Sequence, residues 1–143
     1  MVSKIKLLLL CQHNSGRSQI AEAYLKKYCG KYMEIESAGM EPANEINPLV
    51  VQVMAEEGID LSHKKPRDAF ELHKAGNVYD YIIAIYYSSL EKCHNFPGIT
   101  THWYWSYPNP DLLEGTHEEK LEKVREIRNM IKDWIVTGTP LDT

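Results

Sequence analysis

Four consecutive leucines, Leu7 to Leu10, follow Ile5 and Lys6 and break off at Cys11. An apolar run of residues 5–10 without alternation is expected of a strand buried on both faces, and such strands belong to parallel sheets covered by helices on each side. The rest of the chain keeps this rhythm. Ser18 to about Tyr28 carries Ile20, Ala21, Ala23, Tyr24 and Leu25 at helical spacing, with Gly30 as its stop. Met33 to Glu36 is a short strand running into Ser37-Ala38-Gly39. Asn47-Pro48 opens a second helix with Leu49, Val50, Val53 and Met54 on one face, and Gly58 closes it. Pro66 to Lys74 reads as a third helix and Tyr79 to Tyr86 as a strand. A short helix near Ser88–Cys93 and a last strand over Thr100–Trp105 come next. The final helix, Thr116 to Val136, aligns Leu121, Val124, Ile127, Ile131, Trp134 and Ile135, with Gly138 beyond it.

Alternation of this kind implies βαβ units: an α/β three-layer sandwich with a parallel sheet of about four strands flanked by helices. The 143 residues make one domain, 1–143, too short for two ordinary ones. Ligands of open parallel sheets bind beyond the carboxyl ends of the strands, where the strand order reverses. Cys11 ends the first strand.

Between Cys11 and Arg17 lie Gln12, His13, Asn14, Ser15 and Gly16, and Ser18 opens the following helix. The Cys-x5-Arg spacing lets peptide N–H groups converge on one tetrahedral oxyanion while a guanidinium closes the ring. A helix amino terminus and a guanidinium both favour the thiolate of a cysteine placed against them. Arg17 offers a fork that matches two oxygens of a phosphate or arsenate. Ser18 either caps the helix, donates to the Cys11 sulfur, or does both. Asn14 and Gly16 suit backbone at positive φ. His13 is read as a loop residue rather than a base.

A net charge of −4 without a Lys/Arg cluster speaks against a nucleic-acid surface. The apolar run at the amino terminus is too short for a signal-peptide core or a membrane span. Three widely separated cysteines do not form a disulfide framework and suit a reducing, cytoplasmic setting. The histidines lack metal-ligand spacing, so neither a metal nor a bound cofactor is expected.

The stretch Cys11-Gln-His-Asn-Ser-Gly-Arg-Ser-Gln-Ile-Ala-Glu22 resembles the active-site loop of the low-molecular-weight tyrosine phosphatase superfamily. Within it, His13-Asn14 and Arg17-Ser18-Gln19 are closer to the arsenate reductase branch than to the phosphatases. The similarity continues through Ser37-Ala38-Gly39, Asn47-Pro48, Gly58-Ile59-Asp60, Asp80-Tyr81-Ile82-Ile83, Cys93, Phe96-Pro97-Gly98 and Glu114-Gly115-Thr116. The resemblance implies the low-molecular-weight phosphotyrosine phosphatase fold. It also implies that Cys11 attacks the central atom of the oxyanion (arsenate, phosphate or sulfate being the ligands in view) while Arg17 and the loop amides of Gln12 to Gly16 bind it.

Two departures from the family pattern stand out. In thioredoxin-coupled reductases a second cysteine resolves the first, and a third, seven residues on, completes a disulfide relay. Here Cys93 holds the third position and Tyr86 the second. Either Cys93 attacks Cys11 directly, or an external reductant does: thioredoxin, glutaredoxin or a low-molecular-weight thiol. Cys29, at the end of the first helix, is read as a packing residue. The second departure lies in Trp105-Ser-Tyr-Pro-Asn-Pro-Asp111, which resembles the family's acid loop but has Asn109 where the proton-donating aspartate belongs. Asp111 and Glu114 are read as solvated carboxylates unless the loop bends one of them inward.

The aromatic residues Tyr86, Tyr87, Trp103, Tyr104, Trp105 and Tyr107 either pack the core or, for Tyr86, Tyr87 or Tyr107, wall the substrate entrance. An arsenate reductase-like enzyme is the leading reading. A low-molecular-weight phosphatase acting on aryl phosphates, and a degenerate oxyanion or phosphoprotein binder, are the alternatives.

Overall fold

The computed structural model describes residues 4–86, 96–104 and 109–137. The leucine run forms strand β1 (Ile5–Cys11), parallel to β2 (Met33–Gly39) on one side and to β3 (Tyr81–Tyr86) on the other. Strand β4 (Thr101–Tyr104) lies parallel to β3, and the order across the sheet is β2-β1-β3-β4. Helix α1 (Arg17–Cys29) joins β1 to β2; α2 (Pro48–Ala55) and α3 (Ala69–Lys74) lie between β2 and β3. Helix α4 (His117–Val136) follows a 3₁₀ turn over Pro110–Leu112. The chain leaves β1 toward β2 and later returns to its other side as β3. The carboxyl end of β1 is therefore the point where strand order reverses, and it carries Cys11.

The sheet's two faces explain the absence of alternation in β1. Leu7 and Leu9 join Ile20, Tyr24, Val53 and Ile127 in the larger core beneath α1, α2 and α4. Leu8 and Leu10 join Ala38, Ala69, Ala84 and Phe96 on the side of α3. All four leucines are fully buried, each contributing about 2 kcal/mol. The apolar face of α4 is interrupted by the buried Arg128, whose guanidinium donates to the Val53 carbonyl and to Glu56 of α2.

Several boundaries differ from the sequence expectation. β1 extends to Cys11 and β2 to Gly39, because the two strands stay in register to that point. β3 and β4 are shorter than expected. The third helix begins at Ala69 rather than Pro66: the Asp68 carboxylate accepts the Phe70 and Glu71 N–H groups, Asp68 forms a parallel bridge with Gly39, and the Arg67 carbonyl accepts from the Gly39 N–H. Gly30 keeps right-handed dihedrals (φ −61°) instead of a left-handed cap; a Cβ there would collide with the Lys26 carbonyl oxygen. Asn47 and Thr116 cap α2 and α4, the latter in a capping box with Glu119. The expected helix near Ser88–Cys93 and Gly138 lie outside the described residues.

Candidate active site

Glycine at 39 lets the loop after β1 pass close to the end of β2. A Cβ there would stand 2.9 Å from the Gln12 carbonyl oxygen and 3.1 Å from the Asn14 nitrogen. The loop then runs along residues 40–47, and its carbonyls are taken one after another. Met40, Glu41 and Ala43 N–H groups donate to the carbonyls of Cys11, Gln12 and His13, and Asn47 N–H donates to that of Ser15. The Gln19 side chain donates to the Asn14 carbonyl at 3.1 Å. In a trans peptide the C=O and the next N–H point in opposite directions. Carbonyls turned outward at 11–15 therefore turn the N–H groups of 12–16 toward the loop's interior, where backbone dipoles favour an anion.

Asn14 organises the loop from within. It is fully buried, with φ at +53°, as expected for this residue. Its amide nitrogen donates to Ser18 Oγ at 2.9 Å and to Ser37 Oγ at 2.8 Å. Its Oδ1 accepts from Arg67 N–H and Gln19 Nε2. Ser37 passes its own proton on, donating to Glu22 Oε1 at 2.7 Å.

Two groups reach the sulfur. Ser18 Oγ lies 2.8 Å from Cys11 Sγ and accepts from the Asn14 side chain; toward a thiolate its hydroxyl is the donor. Asn14 N–H adds a second donor at 3.0 Å. Both groups can donate to a thiolate at this position. Ser18 does this work rather than capping: Gly16 is the N-cap, and no side chain caps α1. Gly16 also differs from expectation, with φ at −144° instead of positive. Space is tight there: a Cβ would stand 3.1 Å from the Pro110 ring, which would have to give by a few tenths of an ångström.

Behind the network, Glu22 is buried with its side chain only 3% exposed, and it accepts from Lys26 at 2.8 Å and Lys64 at 2.6 Å. Burial raises its carboxyl pKa, but hydrogen bonds from Lys26, Lys64 and Ser37 outweigh that and hold it below the ordinary value.

Of the residues singled out in the sequence, Cys11 to Ser18 are brought together here. Arg17 is buried at the start of α1. His13 pairs its Nδ1 with the Glu41 carbonyl at 3.0 Å, beside an open cleft lined also by Pro42, Ala43, Asn44 and Asp111. Asn109 turns its Oδ1 to the Asp111 N–H at 2.9 Å and caps the 3₁₀ turn. Asp111 is exposed, as a solvated carboxylate is, and it also accepts hydrogen bonds from Ser15 and Asn47. Glu114 is exposed. Cys29 packs against the larger core. The backbone of Tyr86 ends β3 at the same edge of the sheet as Cys11, in register with Tyr104. Cys93, Tyr87, Trp105 and Tyr107 lie outside the described residues. Among the described residues no group of three His, Cys, Asp or Glu could hold a metal ion, and no helix is long and apolar enough to cross a membrane.

Sequence reasoning missed the 40–47 segment, Ser37 and the Glu22–Lys64 pair. Only Glu22 and Lys26, one helical turn apart, carried a local signal.

The structure thus places a thiol at the switch point of a parallel sheet, inside a loop of inward N–H groups, with Arg17 buried at the start of the helix that follows. The model of the low molecular weight phosphotyrosine protein phosphatase family matches residues 6–104, and the chain belongs to that family. Within it the likeness is to the arsenate reductases. The arsenate reductase of Bacillus licheniformis is 37% identical, with 96% of this chain and 99% of that protein covered. That of Bacillus subtilis is 35% identical with the same coverage. A solved thioredoxin-dependent arsenate reductase of Corynebacterium glutamicum superposes with a TM-score of 0.56 at 31% identity, covering 96% of this chain and 65% of that one.

Proposed function

We propose that the protein is an arsenate reductase that uses Cys11 as nucleophile and draws its electrons from an external thiol. The observation that carries this reading is the meeting of the Asn14 N–H and the Ser18 hydroxyl at the Cys11 sulfur, inside a loop whose carbonyls at 11–15 are all taken by donors outside it. Gln12 to Gly16 present N–H groups to the tetrahedral oxyanion, and the Arg17 guanidinium completes the ring of donors. The Cys11 thiolate attacks arsenic; an S–As bond forms, an As–O bond breaks, and the departing oxygen leaves as water after protonation. A second thiolate then attacks the Cys11 sulfur. The S–As electron pair passes to arsenic, arsenic(V) becomes arsenic(III), and a disulfide remains.

Tyr86 stands where the relay's second cysteine belongs, so the second thiol comes from Cys93 or from outside the chain. The Corynebacterium glutamicum structure is of a thioredoxin-dependent enzyme, which supports a thioredoxin-type protein or a small thiol as reductant. Such reductants are sustained in the cytoplasm, the compartment we assign. Asn109 disfavours the phosphatase reading, because an amide cannot deliver the proton that an ester oxygen needs.

The test is arsenate-dependent NADPH oxidation with complete thioredoxin or glutaredoxin systems, combined with mass spectrometry of Cys11 after quenching. A mixed disulfide on Cys11, or a Cys11–Cys93 bond, is expected during turnover. No turnover with any reductant, while Cys11 still alkylates rapidly, overturns the reading.

A further inference from the structure

The turn after the acid loop carries a carboxylate that this chemistry does not use. Asp111 lies 96 positions from Ser15 in the chain, yet its Oδ2 accepts from Ser15 Oγ at 2.6 Å. Its Oδ1 accepts from Asn47 Nδ2 at 2.7 Å. Asn47 N–H donates to the Ser15 carbonyl at 2.9 Å, and Asn47 Oδ1 caps α2 through Leu49 N–H. The three side chains thus form a closed knot between the anion loop, the first turn of α2 and the 3₁₀ turn. Next to the knot, Pro110 packs on Gly16 closely enough that a Cβ there would touch its ring.

We infer that Asp111 is a positioning residue for the anion site. Its carboxylate holds Ser15 against α2 and so keeps the Gly16 N–H, on the far side of the Ser15 carbonyl, aimed at the bound oxyanion. The inference rests on the oxyanion-binding half of the proposed function and not on arsenate turnover. A carboxylate is suited to the task because two donors on different elements can be held at once, one on each oxygen. Its charge works in the other direction, since a negative group near the loop repels phosphate or arsenate. Asp111 is exposed, so that repulsion is screened, while the hydrogen bonds fix geometry. The two effects therefore predict opposite signs when the residue is removed.

The experiment measures the phosphate concentration that half-protects Cys11 from iodoacetamide in the full chain, with thermal melts of each variant alongside. Asp111→Ala is expected to raise that concentration about tenfold with little change in melting temperature, as loss of charged hydrogen bonds would. Asp111→Asn keeps one acceptor, and its value is expected between the two. In a Ser15→Ala background the further effect of Asp111→Ala shrinks to about twofold or less, because the strap has lost its hold on the loop. Unchanged or tighter phosphate binding in Asp111→Ala overturns the inference, since removal of a merely repelling charge gives that result. Phosphate protection without arsenate turnover defeats the proposed reductase alone; intact protection in Asp111→Ala defeats this inference alone.

Discussion

The anion loop and the Asn109–Asp111 turn meet at Gly16 and Pro110 and are held by opposite means. In the loop, the backbone of residues 40–47 and the Gln19 side chain occupy the carbonyls of residues 11–15, and Asn14 spends both side-chain amide hydrogens and its oxygen on buried or half-buried partners. In the turn, the Asn109 bond and the Asp111–Asn47 bond lie at the exposed surface, and only the Asp111–Ser15 bond is half-buried. A buried polar group left without its partner costs about 1–3 kcal/mol, whereas an exposed one turns to water. Departure from the family pattern is correspondingly tolerated at Asn109, while Cys11, Arg17 and Ser18 keep it. On the proposed function, the difference assigns binding and attack to the buried scaffold and leaves the leaving group to a surface turn.

The sharpest way to break this contrast is to remove the nucleophile. Cys11→Ser is expected to lower arsenate turnover more than about 1,000-fold while calorimetry still detects phosphate binding; residual turnover near the parent rate would move the chemistry elsewhere. Next in size, Asn14→Ala strips the loop's hub and leaves a β-carbon at positive φ. A loss of about 3 kcal/mol in urea unfolding is expected, and a loss below about 1 kcal/mol would erase the distinction between loop and turn.

Glu22→Gln weakens the network one shell further back, by about 2 kcal/mol at neutral pH. Because the Glu22 pKa is depressed in the folded state, its contribution is present above the ordinary value of 4.5 and fades as pH falls below it. Melts of parent and variant are therefore expected to converge in that acid range, and a gap independent of pH would contradict the assigned pairing. The smallest change is at the turn itself. Asn109→Asp keeps the cap on the 3₁₀ turn and supplies a proton donor. Aryl phosphate hydrolysis is expected to rise about tenfold, less than a well-placed acid gives, because Asp111 stands two residues away. An unchanged rate would show that this turn does not serve the leaving group.

Much of the architecture could be read in advance because its signals are local. Uninterrupted leucines specified a strand buried on both faces, and helical spacing marked α1 and α4. Asn47-Pro48 announced a helix start through proline at an early helical position. The failures were also local signals, overruled by distant partners. Pro66 suits a helix start, but Asp68 caps one two residues later while its own backbone bridges to Gly39. Gly16 looked like a positive-φ residue and instead clears space for Pro110.

What the sequence determined by itself is the proposed nucleophile's immediate frame. A thiol, an arginine six residues on and a helix start are fixed by spacing along one short segment, and spacing needs no tertiary structure to be understood. Only the fold decided how that frame is held. The outward carbonyls depend on residues 40–47, the path from Cys11 to Glu22 passes through Ser37 and ends on Lys64, and Ser15 is tied to Asp111. Each of these joins groups far apart in the chain. Hydrogen bonds require contact within about 3 Å, and it is packing on the two faces of β1 that brings such groups so close.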